Sequence, residues 1–117
     1  MKQRQERLSE LLRIEISEIL LKRVKDPRIS SFLSITEIKL SKDLRYAHVF
    51  VSVFGNEDVK KNTLKGLESA KGFIKSEIGK DLRLRFIPEI IFELDDSLER
   101  GDRVLRIMKE LGLDEEE

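Results

Sequence analysis

The sequence predicts an α+β fold in which helices pack on one face of a three-stranded sheet. Three observations predict it: helical apolar spacing over the first stretch of chain, an abrupt change to β-branched and aromatic segments after Pro27, and a return to helical spacing before a third such segment, "EIIFEL". A chain of 117 residues can bury one core and is too short for two.

From Arg4 to about Lys25, Leu8, Leu12, Ile16, Ile19 and Leu20 recur at helical spacing with no Gly or Pro between them, which predicts a long first helix. It must stop at "KDPRIS", because Pro27 cannot donate to the helical ladder and disfavours helical geometry at Asp26. "FLSITEIKL" and "RYAHVFVSVF", joined by the turn formers of "SKDLR", predict a β-hairpin. In its second strand Ala47, Val49, Val51 and Val53 share the face expected to point at the core, with Tyr46, His48, Phe50 and Ser52 opposite.

Gly55 and Asn56 supply turn and cap for a further helix carrying Val59, Thr63, Leu67 and Ala70 at helical spacing. In a single straight helix Lys71 would fall amid Leu67, Ile74, Ile78 and Leu82, so the expectation is two helices divided by a kink at Ala70 and Gly72, the second ending near Arg85. Gly72 as a plain helix terminator is the alternative. "EIIFEL" is the third strand, and "DDSLERGDRVLRIMKELGL" a last helix capped by Asp96 or Ser97. One domain over 1–113 and a short acidic tail over 114–117 follow.

The zero net charge is a cancellation. Residues 1–28 hold eight basic and five acidic side chains, 29–59 three and four, 60–88 eight and three, and 89–117 four and eleven. A basic body against an acidic C-terminal quarter points to a nucleic-acid partner. Charge density selects Lys71, Lys75, Lys80, Arg83 and Arg85 as RNA-contacting candidates, supplemented by Arg4, Arg7 and Arg13 on the first helix and Arg28 and Arg45 near the hairpin. Ser76 and Gly79 share a helix face with Lys80 and Arg83, and Gly79 is expected to leave bare backbone there for close approach of a phosphate. The alternative is a solvated face with a tolerated glycine.

No cysteine is present, so a thiol nucleophile and His/Cys metal clusters are excluded, and the lone His48, mid-strand opposite the valine face, is expected to be a surface or interface residue. Glu93, Asp95 and Asp96 form the one carboxylate cluster, better explained as a cap at a strand-to-helix junction than as a cation site. No phosphate-cradling or nucleophile-elbow spacing occurs. No enzyme, cofactor, metal or small-molecule substrate is expected. No apolar run nears the roughly 18 residues that span a bilayer, and "MKQRQERLSELLR" lacks an apolar signal core, so a cytosolic protein without a membrane partner is expected. A protein–protein adaptor using Tyr46, His48 and Phe50 is the competing non-enzymatic reading.

The element order resembles a type II KH domain, an α-β-β-α-α-β RNA-binding fold, without the GxxG loop of that class. "AKG" at the helix junction, together with "KDPRI", "LSKDLRYAHVFVS" and "GKDLRLRFIPEIIFELDDSLERG", resembles the bacterial ribosome-binding factor A family over nearly the whole chain, to about Leu111. The resemblance implies a non-enzymatic assembly factor whose partners are the free 30S ribosomal subunit and its 16S rRNA; a monomer is expected. It further implies a part in late maturation of the 16S 5′ end and in growth in the cold.

Overall fold

The structure is a computed structural model that describes residues 2–30 and 33–95. Helix α1 (Lys2–Lys22) leads to strands β1 (Leu33–Leu40) and β2 (Tyr46–Val53), then helix α2 (Glu57–Asp81) and strand β3 (Glu89–Leu94). The strands order as β1-β2-β3, with β1 antiparallel and β3 parallel to the central β2. The α+β class and the three-stranded sheet are therefore as expected. The last predicted helix and the acidic tail lie outside the described residues.

Both helices cover the same sheet face. Ala47, Val49, Val51 and Val53 of β2, with Ile90 and Phe92 of β3, are buried against Leu12, Ile16 and Ile19 of α1 and Leu67, Ile74 and Ile78 of α2 in one apolar cluster. Burying these side chains is the main stabilising term of the fold, at about 25 cal/mol per Å² of apolar surface. In β1 the buried residues are Ile35 and Ile38, three apart, where a regular strand would bury every second residue. The pairing explains it: Ile35 faces Val51 and Glu37 faces Phe50, so a bulge at Thr36 shifts the phase.

The hairpin turn is held by Ser41 and Asp43. The Ser41 hydroxyl donates to Asp43 Oδ1 (2.7 Å) and accepts from the Tyr46 amide (3.0 Å), while the Arg45 amide donates to Asp43 Oδ1 (3.1 Å). Leu44 closes the turn in the left-handed region at φ 62°, a conformation costly for a side chain with a Cβ and kept only where its surroundings require it.

The expected division of α2 is corrected. The helix is continuous from Glu57 to Asp81, through Ala70 and Gly72, and ends four residues before Arg85. It starts where Asn56 accepts a hydrogen bond from the Val59 amide (2.9 Å), with Glu57 and Asp58 in the first turn favoured by the helix dipole. Thr63 and Ala70 belong to the same buried stripe as Ile74 and Ile78, which moves the stripe's centre about 60° away from Lys71. Lys71 then lies at the edge, half-buried, with its amine 3.0 Å from Glu68. A side chain at Gly72 would meet nothing within 4 Å among the described residues, so neither a break nor a close contact within them accounts for that glycine.

Candidate nucleic-acid interface

The sequence-selected cations separate into two groups once their neighbours are known. Lys75 reaches Glu89 at 2.8 Å, Lys80 reaches Glu77 at 3.3 Å, and Lys71 reaches Glu68. Arg13 pairs with Glu10 one turn earlier. Arg28 forms a two-pronged pair with Asp26 (Nε to Oδ1 3.0 Å, Nη2 to Oδ2 2.7 Å), whose hydrogen bonds pull the Asp26 carboxyl down to about 2. Arg45 lies 3.8 Å from Asp43. Each of these charges is partly neutralised within the chain.

Arg4, Arg7, Arg83 and Arg85 make up the second group. All are exposed, and none pairs with a carboxylate among the described residues. Arg4, Arg7 and Arg85 line one depression of about 480 Å³ between the start of α1, the hairpin turn and the loop from α2 to β3. The i, i+3, i+4, i+7 spacing of Arg4, Arg7, Leu8 and Leu11 puts all four on one side of α1. Leu44, in its left-handed turn, and Leu84 and Phe86, in the loop, complete the apolar lining. Phe86 is 53% exposed and Leu11 43%.

Ser76 and Gly79 are exposed on α2, as a contact surface would require. Gly79, however, is not simply bare: Ile87 Cδ1 lies 3.1 Å from where its Cβ would stand. The glycine makes room for the chain folding back from the end of α2. A second glycine of this kind escaped the sequence reading. A Cβ at Gly66 would come within 2.7 Å of Ile29 Cγ1 and 3.3 Å of Arg28 Cβ, so the α1–β1 connection packs directly on α2 there. Buried Thr63 ties the same two segments, accepting from the Ser30 amide (3.3 Å) and donating to the Arg28 carbonyl (3.4 Å).

The opposite sheet face satisfies much of its own polarity. His48 Nδ1 lies 2.6 Å from Glu93, Lys39 sits over the Phe50 ring at 5.7 Å, and the Thr36 hydroxyl donates to Asp95 at 2.6 Å. Glu93 and Asp95 thus have partners on the sheet; Asp96 lies outside the described residues. Among the described residues no helix is long and apolar enough to cross a membrane, and no cluster of His, Cys, Asp or Glu is arranged to hold a metal ion.

Where the two helices meet, Arg23 at the end of α1 donates to Glu77 and Asp81 of α2, both at 2.7 Å. Glu15 lies beside them. One of its carboxylate oxygens is buried without a partner among the described residues, and desolvation, reinforced by the neighbouring Asp81 carboxyl, pushes its pKa up to about 7.

This arrangement of elements has close counterparts. The family model for ribosome-binding factor A matches residues 4–108. The chain belongs to the ribosome-binding factor A family. It is 75% identical over 117 residues to the ribosome-binding factor A of Dictyoglomus thermophilum, covering 100% of this chain and 98% of that one. A Thermotoga maritima protein solved by NMR in solution, described as a ribosome binding factor A, superposes with a TM-score of 0.70 at 38% identity, over 77% of this chain and 85% of that one. A homology model of the Thermus thermophilus ribosome binding factor A, fitted into a cryo-EM map of its complex with 30S, shares the fold at a TM-score of 0.64 and 24% identity, over 77% of this chain and 93% of that one.

Proposed function

We propose that the chain is an assembly factor that binds the free 30S subunit through 16S rRNA and assists late maturation of that RNA, including processing of its 5′ end and growth in the cold. The binding domain comprises residues 1–113, acts as a monomer in the cytoplasm, and leaves 114–117 as a tail. Family membership supports this reading, as does the 30S complex into which the Thermus thermophilus relative was fitted. The observation that carries it here is the gathering, at one end of the molecule, of arginines that have no carboxylate partner among the described residues. Isolated exposed cations gain little from one another, whereas a phosphate backbone supplies them with counter-charge and releases condensed ions.

Pelleting the protein with separated ribosomal subunits over a range of salt concentrations tests the proposal. Binding to small subunits that weakens steeply with salt, with little binding to large ones, is expected. Equal pelleting with both subunits would reduce the interaction to non-specific electrostatics. Salt-indifferent binding that is lost in Tyr46→Ala would instead establish the adaptor reading.

A further inference from the structure

We propose that the depression between Arg4, Arg7, Leu44 and Phe86 is a pocket for one unstacked RNA base, with the flanking phosphates held by Arg4, Arg7 and Arg85. The inference rests on the RNA-binding reading and specifies what that surface recognises.

Three segments remote in sequence build this pocket. Helix α1 brings Leu8 and Leu11 with the two arginines, the loop brings Leu84, Arg85 and Phe86, and the hairpin turn brings Leu44. Leu44 lines it with its backbone at φ 62°, so an unfavourable local geometry coincides with the apolar wall. At about 480 Å³ the space lies within the range of sites that take small organic groups. An aromatic ring half open to solvent, flanked by guanidinium groups, offers a nucleobase a stacking face and its phosphates two-pronged donors. A duplex cannot use such a pocket without unstacking; single-stranded loops and ends can. Arg4, Arg7 and Arg85 have no carboxylate partner among the described residues, so the pocket's rim is complementary to an anion. An acidic peptide shares that charge, but an extended peptide would also seek backbone partners, and Pro88 in the pocket's lining has no amide to give.

The test titrates the full chain, with labelled methyl groups, using a uridine trinucleotide, the same backbone lacking bases, and triglutamate. The trinucleotide is expected to shift the Leu44 and Leu84 methyl resonances, and the baseless strand to leave them in place. Phe86→Ala should weaken trinucleotide binding by about tenfold without changing its salt dependence, while Phe86→Tyr retains it. The proposal is overturned if the baseless strand binds equally well, if triglutamate moves the same methyls as strongly, or if no ligand moves them. Pelleting with small subunits separates the two readings. Wild type and Phe86→Ala pelleting alike at every salt concentration would remove the pocket and leave the RNA reading intact, whereas a wild type that never pellets would remove that reading while the titration still decides the pocket.

Discussion

Ile87 occupies the space beside Gly79: its Cδ1 atom lies 3.1 Å from the position a Cβ would take. The contact joins the last turns of α2 to the residue two before β3, and it sets Gly79 apart from Gly72, whose Cβ would meet nothing within 4 Å among the described residues. Gly72→Ala is expected to stabilise the protein by about 0.5–1 kcal/mol, the usual gain for replacing an interior helical glycine. Gly79→Ala should gain less, because the tip of Ile87 must move by a few tenths of an ångström. Ile87→Val removes that tip, so the double variant should recover part of the missing gain. Chemical denaturation of Gly72→Ala measures its gain, and that of Gly79→Ala, Ile87→Val and their double variant measures the coupling.

Gly66 predicts the opposite sign. Its Cβ would stand 2.7 Å from Ile29 Cγ1 and 3.3 Å from Arg28 Cβ, on a backbone that Thr63 ties down through the Arg28 carbonyl and the Ser30 amide. Overpacking of this kind typically costs about 1–3 kcal/mol. Gly66→Ala should lower the midpoint of thermal unfolding, and a midpoint at or above wild type would show that the loop can yield.

Periodicity made the helix stripes and the faces of β2 and β3 legible, because each depends only on residues of its own segment. The bulge at Thr36 was not legible, since it exists only as a mismatch between Ile35 opposite Val51 and Glu37 opposite Phe50. The continuity of α2 was missed for a related reason: the stripe's centre depends on counting Thr63 and Ala70 with Ile78, which requires already knowing that they share one helix. For the candidate interface, charge density selects cations without revealing their pairings. Lys75 and Glu89 meet across 14 positions, and Arg23 and Asp81 across 58, so no local count separates neutralised cations from available ones. Arg4, Arg7 and Arg85 entered the sequence reading as parts of different clusters, and only the fold brings them together.

Glu15 makes stability depend on pH in an unusual direction. Its pKa rises from 4.5 to about 7 on folding, so the folded state holds the proton more tightly than the unfolded chain. The resulting contribution is complete below 4.5 and is lost as pH climbs to about 7. Asp81 and Glu77, lowered chiefly by hydrogen bonds from their neighbours, act oppositely, but their contributions fade only as pH falls through the acid range. The unfolding temperature of wild type should therefore decline between about 4.5 and about 7. Glu15→Gln, which resembles the protonated acid, should flatten that decline and exceed wild type in stability at the upper end. Parallel slopes in the two proteins would show that Glu15 does not titrate there.

The last prediction separates the two groups of cations by their effect on subunit binding. Removing a phosphate-contacting cation reduces the salt slope of binding by about one, while removing one already paired within the chain changes it little. Arg83→Ala and Arg85→Ala should each flatten the slope for small-subunit binding, and Arg4→Ala with Arg7→Ala should do so together. Arg28→Ala should leave the slope unchanged, since Asp26 already holds that guanidinium at 2.7 Å. Lys80→Ala should fall between these cases: its amine is 3.3 Å from Glu77, but its side chain is 71% exposed and can swing away. Thermal midpoints should move little in the exposed-arginine variants, because surface substitutions usually stay within about 0.5 kcal/mol. Salt titrations of pelleting for each variant supply the measurement. Equal slopes in wild type and the Arg83, Arg85 double alanine variant would place the RNA contact away from this end of the molecule. A slope change confined to Arg28→Ala would mean that the Asp26 pair opens on binding, moving the interface to the connection between α1 and β1.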